Sequence, residues 1–422
     1  MIRRTLLLAA VATALMASSA GAADHVRDEV IVREGSGSAP VSRVVKVDPG
    51  STVHATIARL RQRPGVLSAT PNYIARASFL PTDPGRGRAP GGWQALQWNF
   101  AGPFGVNAPE AWDNVARVNR SGGRGVVVAV LDTGVAYSDR GRFKRSPDLR
   151  DTRFARGYDF VDRDRFPHDL HGHGTHVAST IGESVDNGVG VTGLAYGATI
   201  VPVRVLDRLG AGDSAAIAAG IRFAARRRVH VINLSFEFGA ALRARDIPEI
   251  MDALRLARRK GVLVVAASGN TAAGVVAYPA RAPDVLSVGA TTEHGCLAEY
   301  SNQGRMLDIV APGGGRDAAL SDDPNCRPSD DSGRDIVQMT FTSSVRRFGL
   351  PARFEGTSMA APHVSAAAAL AIASGLLGER PSPGAIASWL ERTARDLGPP
   401  GHDDVYGAGL VDARAATTTP PA

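Results

Sequence analysis

Beyond Trp93 the chain alternates short, almost uninterrupted apolar runs with longer stretches of helical periodicity. The apolar runs fall at 126–131, 200–206, 229–234, 262–266 and 285–288. Their Val, Ile and Leu content is that of strands buried on both faces of a parallel sheet. Helices are expected after His173, Asp213, Pro248, Ser358 and Pro383. The alternation implies an α/β fold, a doubly wound and mostly parallel sheet flanked by helices. Upstream the rhythm differs. Strands are expected at 29–32, 44–47 and 66–67, with a helix over 52–61 capped by Ser51, which makes a small α+β module spanning 23–77. The run from Pro81 to Gly92 is so rich in Pro and Gly that a linker is expected over 78–95, easily reached by proteases. The large domain then occupies 96–416, and 417–422 reads as a frayed tail.

The first 22 residues follow a different order. Arg3 and Arg4 precede an apolar run from Thr5 to about Met16, and Ala20-Gly21-Ala22 closes the segment with small residues. This is the order of a secretory signal peptide, so a secreted or periplasmic protein is expected. The apolar run is short for a bilayer span and nothing comparable follows it, so no permanent membrane anchor is expected. Export bears on Cys296 and Cys326, the only cysteines. In an oxidising compartment a lone pair favours a disulfide over two free thiols. Closing that loop of about 30 residues would stabilise by roughly 3–4 kcal/mol.

Composition changes this picture little. A chain of 422 residues that is 44% hydrophobic and 21% charged is globular rather than disordered. The formal charge of +7 comes almost wholly from arginine, with lysine only at Lys46, Lys144 and Lys260. The basic residues are scattered and form no stripe with interleaved aromatics, which argues against nucleic-acid binding.

Three segments carry candidate chemistry. The apolar run 126–131 ends in Asp132-Thr133-Gly134, a carboxylate at the carboxyl end of a buried strand, where open α/β sheets place their sites. The segment Asp169-Leu170-His171-Gly172-His173-Gly174-Thr175-His176 opens a helix and admits two readings. Its three histidines could hold zinc, or one could serve as a general base held by a carboxylate such as Asp132. In Gly356-Thr357-Ser358-Met359-Ala360-Ala361-Pro362-His363 a serine enters an alanine-rich helix, which puts its hydroxyl and N–H among the unpaired donors of a helix start. Pro362 is expected in the first helical turn, where its missing N–H costs nothing.

Together, and in that order, the three segments resemble the signatures of the subtilisin family of serine proteases. The resemblance implies Ser358 as nucleophile, His173 as base and then acid, and Asp132 as the carboxylate that fixes the imidazole. It makes His176 structural and leaves zinc without a role. Val264-Val265-Ala266-Ala267-Ser268-Gly269-Asn270 resembles the family's oxyanion segment, so Asn270 joins the Ser358 N–H as oxyanion donor. Substrate is then expected along Ser235, Phe236 and Glu237 on one side and Ala267, Ser268 and Gly269 on the other. The family's glycines are replaced by Phe236-Glu237-Phe238. Glu237 is expected on the rim of the specificity pockets, favouring basic side chains, or else facing solvent.

The resemblance further implies polypeptide substrates, a monomer, and no cofactor for catalysis. A structural calcium is expected on Asp148, Asp186, Asn187, Val189 and Val191, whose hard oxygens suit Ca²⁺. The insertion between Gly313 and Gly356, with Asp322, Asp323, Asp330 and Asp331, reads as a solvated surface loop. The segment ending at Ala77 resembles the tail of a propeptide that inhibits its own enzyme until cut. An esterase or peptide ligase using the same acyl-enzyme chemistry is the alternative.

Overall fold

The structure is a computed structural model that describes residues 25–35, 40–73, 79–239, 241–329 and 333–418. The signal-peptide stretch, residues 74–77 before the expected cleavage point, Asp330 and Asp331 lie outside the described residues. The chain divides into two compact units, parting between Ser78 and Phe79.

In the first unit, strand His25–Glu34 sits between Val41–Lys46 and Val66–Tyr73, antiparallel to both. Val30, Val32, Ala69, Ile57 and Leu60 form its core, the last two from helix Val53–Arg61. The helix is capped by Thr52 rather than Ser51: the Thr52 hydroxyl accepts the Ala55 N–H at 3.1 Å. The Ser51 hydroxyl instead meets Thr56 Oγ1 at 3.2 Å.

The second unit is built on a sheet whose strands lie in the order Ile309–Pro312, Leu286–Thr291, Leu263–Ala267, Val231–Leu234, Val127–Asp132, Thr199–Arg204 and Arg153–Phe154. All these neighbours pair in parallel. From Val127–Asp132 the chain first goes to the edge strand Arg153–Phe154, then fills the space between with Thr199–Arg204, and after that crosses over to build the other side. Asp132 therefore ends the strand at which the winding reverses, and a crevice opens at the carboxyl end of such a strand. The five expected strands and five expected helices are present. The sequence pattern missed helix Ala108–Arg117, the two-residue strands Arg153–Phe154 and Tyr158–Asp159, strand Ile309–Pro312 and the hairpin Thr340–Ser344 with Arg347–Gly349. Such short strands give no periodicity to detect.

Helix Thr357–Ser374 is buried over nearly its whole length and apolar on every side, so it forms the centre of the molecule's main core. Cys296 and Cys326 are disulfide-bonded, with Cα atoms 4.9 Å apart. Among the described residues no helix is long and apolar enough to cross a membrane.

The structure corrects the expected linker, and it fixes Thr417 at the start of the expected tail, of which residues 419–422 lie outside the described residues. From Phe79 onward the Pro/Gly run belongs to the second unit. It forms no strand and only the short helix Trp93–Leu96, as its composition demands, yet its path is fixed. The buried Asp83 carboxylate accepts the N–H groups of Asp186 at 3.0 Å and Asn187 at 3.2 Å, and buried Trp93 donates from Nε1 to the Pro81 carbonyl at 2.8 Å. At the other end, Thr417 is buried and its hydroxyl donates to the Ala413 carbonyl at 2.8 Å.

Three buried histidines make the second unit acid-sensitive. His168 is sandwiched between the Tyr137 and Phe143 rings, His176 stacks on Phe354, and His363 meets Asn99 and the Met359 carbonyl. Burial pushes their pKa values down to about 4, about 3 and about 4. The unfolded chain takes up these protons near the ordinary histidine value while the fold resists them, so their contribution to stability is complete above that value and falls with pH below it. The midpoint of urea unfolding is expected to fall less between about pH 6.5 and pH 4 in His168→Phe than in the unsubstituted protein.

Candidate active site

Asp132 is fully buried, and its Oδ1 accepts the Thr133 N–H at 2.7 Å and faces His173 Nδ1 at 2.8 Å. The carboxylate accepts, so Nδ1 carries the proton and Nε2 is left with a lone pair. Burial opposes a charged imidazole, but the charge of Asp132 and its hydrogen bond together outweigh it, and the pKa of His173 is raised above the ordinary histidine value. The His173 side chain keeps 20% of its surface open.

His173 begins helix His173–Gly182, whose start is tied down by a residue that the sequence reading quoted but gave no role. Asp169 accepts the N–H groups of His171, Gly172 and Thr175 and the hydroxyls of Thr133 and Thr175, at 2.6–3.0 Å. The Thr133 hydroxyl in turn accepts the Gly174 N–H at 2.9 Å. This draws the helix so close to the Asp132 strand that a Cβ at Gly174 would lie 2.2 Å from the Gly134 carbonyl oxygen. The other two histidines of the segment have different surroundings. His171 is exposed, and His176 is buried with Nε2 donating to the Ile336 carbonyl at 3.0 Å.

Ser358 is the second residue of its helix. Its hydroxyl donates to the Ser235 carbonyl at 3.0 Å, on the backbone just beyond strand Val231–Leu234. Pro362 is not in the first turn but sixth in the helix, where its missing N–H would orphan the Ser358 carbonyl. The Ser235 hydroxyl fills the gap, donating to that carbonyl at 2.8 Å. Behind it, Asn233 donates to the Ser235 hydroxyl at 2.9 Å and accepts from Ser365 at 2.8 Å, all in the core.

Asn270 follows strand Leu263–Ala267. Its Oδ1 accepts both the N–H and the hydroxyl of Thr357, at 2.8 and 3.0 Å, so the opposite corner of the amide, Nδ2, is the side chain's donor beside the helix start, within hydrogen-bonding reach of the Glu237 carboxylate. Ser268 is buried and its hydroxyl donates to the Asn302 carbonyl at 3.0 Å, while Gly269 donates to Thr357 Oγ1 at 3.2 Å. Phe236 and Phe238 meet edge to face at 6.5 Å. Glu237 does not face solvent: both its carboxylate oxygens accept the Asn270 N–H, at 2.9 and 3.1 Å. Burial raises its pKa, with hydrogen bonds from the Asn270 backbone and side chain opposing.

The expected calcium segments converge. Asp148 is buried; its Oδ1 accepts from the Asn187 amide at 2.8 Å and its Oδ2 from the Val191 N–H at 2.9 Å. Burial pushes Asp148 up to about 8, and Asp83 is raised by burial too. Asp186 differs from expectation: it is exposed and accepts from the N–H and hydroxyl of Thr82. Asp83, missed because the Pro/Gly run read as a linker, is a buried carboxylate there, as is Glu183 beside Asp148; an Asp inside a rigid Pro-Gly turn was the available signal.

A parallel sheet with a carboxylate-held imidazole at the end of one strand and a helix-start serine bonded just beyond the end of the neighbouring strand is the arrangement expected of a serine hydrolase. Residues 123–409 match the subtilase family. The chain is 37% identical over 318 residues to subtilisin Savinase of Lederbergia lenta, covering 75% of this chain and 98% of that one. It is 35% identical over 323 residues to a thermophilic serine proteinase of Bacillus sp. (strain AK1), covering 76% of this chain and 67% of the relative. A solved protease from Pseudoalteromonas arctica superposes with a TM-score of 0.62 at 30% identity, covering 80% of this chain and 98% of that one. The chain belongs to the subtilase family and is a subtilisin-like serine endopeptidase.

Removing the Ser235 hydroxyl would leave the Ser358 carbonyl unpaired in the core. Ser235→Ala is expected to cost about 1–3 kcal/mol of stability in urea unfolding, with circular dichroism at neutral pH as the check.

Proposed function

We propose that this subtilase is made as a secreted, self-processed precursor, and that Asp132, His173 and Ser358 cleave polypeptides through an acyl-enzyme. The observation that carries the reading is the 2.8 Å bond from His173 Nδ1 to Asp132, which leaves Nε2 as the proton acceptor. As substrate enters, the Ser358 hydroxyl leaves the Ser235 carbonyl and gives its proton to His173 Nε2. Its oxygen attacks the substrate carbonyl, whose negative charge is met by Asn270 Nδ2 and the Ser358 N–H. The imidazolium, stabilised by Asp132, hands its proton to the leaving amine. Water repeats the sequence to free the acid. Substrate backbone lies along 235–237 and 267–269.

The unit containing residues 25–73 is read as the intramolecular inhibitor, cut shortly after Ala77. A serine-directed phosphonate is expected to label Ser358 in casein-degrading enzyme, as peptide mass mapping would record. Ser358→Ala should accumulate at precursor length; normal processing or labelling elsewhere would overturn the assignment.

Catalysis needs no cofactor in this family, and a calcium ion is proposed as a structural element. Asp83 and Asp148 are buried carboxylates without a basic partner among the described residues, which is the charge deficit a cation relieves. With the side-chain oxygen of Asn187 and the carbonyls of Val189 and Val191 they would supply the hard oxygen set. The ion would tie the residue 79–93 segment to the loop that follows the His173 helix. The melting temperature is expected to fall in EDTA and recover on adding calcium, and Asp83→Asn should abolish the difference.

A further inference from the structure

Glu237 stands where the chain replaces small residues with Phe236-Glu237-Phe238, and its surroundings give it a task other than charge display. Both oxygens converge on the backbone N–H of Asn270, and the Asn270 side-chain amide lies within hydrogen-bonding reach of the same carboxylate. The carboxylate packs so closely over the intervening loop that a Cβ at Gly269 would lie 2.1 Å from Oε2, and Gly269 adopts φ +114°, which a side chain would also strain. Asn270 is thus held at two points, by Glu237 at its N–H and by Thr357 at Oδ1. The two restraints fix both the origin and the rotation of the side chain, and together they determine where Nδ2 points.

We infer that Glu237 is a positioning residue that holds the Asn270 arm so that Nδ2 meets the developing oxyanion. A carboxylate is suited to this because a charged acceptor binds a backbone N–H more tightly than a neutral one does. The partly buried setting strengthens the bond further. The inference rests on the protease reading and deepens it. It also departs from a simple acidic pocket for basic side chains, because the two oxygens are already engaged without substrate. A donor displaced by a fraction of an ångström loses transition-state stabilisation while substrate binding stays intact.

The test uses mature full-length enzyme with two peptide anilides, one with a neutral and one with an arginine side chain at the cleaved bond, and a peptide boronate as transition-state mimic. Glu237→Ala is expected to lower kcat about 10- to 100-fold on both anilides with KM changed less than about twofold. Boronate affinity should weaken in step. Glu237→Gln, which keeps an acceptor for the Asn270 N–H, should recover most of the loss. Glu237→Asp, which keeps the charge but shortens the reach, should not, and it preserves the test should the alanine variant fold poorly. Unchanged kcat in Glu237→Ala and Glu237→Asp, or a loss confined to KM for the arginine substrate, would overturn the inference. Phosphonate labelling of Ser358 in the unsubstituted enzyme separates the two failures: no labelling sinks the protease reading, whereas labelled enzyme indifferent to Glu237 sinks only this one.

Discussion

A carboxylate with no access to water must be answered by donors, and the Oδ1 of Asp132 is answered by the Thr133 N–H and the His173 imidazole. Much of the surrounding structure is the cost of holding that second donor in place. The His173 helix must approach the central strand closely, which admits only glycine at 174. Its first turn must be fixed in angle, which Asp169 achieves with five hydrogen bonds to backbone and threonine groups. Even the loop beyond the helix is restrained, through Asp148 and the residue 79–93 segment packed behind it.

The second half of the site depends on a different element, the buried helix that begins at Thr357. Thr357 spends its N–H and hydroxyl on Asn270, while Ser358 spends its hydroxyl and its carbonyl on Ser235. Two consecutive residues therefore fasten the helix to the loops on either side of it, one carrying the amide donor and the other the backbone that substrate would follow. Ser358, the proposed nucleophile, sits where these restraints meet.

The sequence revealed most where chemistry and burial coincide. The parallel sheet was legible because strands buried on both faces are apolar throughout, and the three catalytic segments because each places a reactive side chain at the end of such an element. What it concealed was irregular structure held by single polar groups. Pro and Gly between 81 and 92 rule out helix and strand but say nothing about order, which comes from Asp83 and Trp93. Asp169 and Asp83 act through backbone N–H groups, which leave no mark in a pattern of side chains. Glu237 was recognised as a departure from the family, but its partner is a backbone N–H across the crevice, visible only in three dimensions.

Pro362 shows how an apparent defect can serve as a gauge. The missing rung supplies a socket that the Ser235 hydroxyl fills, beside the bond from the Ser358 hydroxyl to the Ser235 carbonyl and the Asn233–Ser365 bond deeper in the core. The offset between the helix start and the backbone beyond strand Val231–Leu234 is thereby pegged by hydrogen bonds of fixed length as well as by apolar packing. Drift of core residues over evolutionary time can then alter stability with less effect on where Ser358 sits against that backbone.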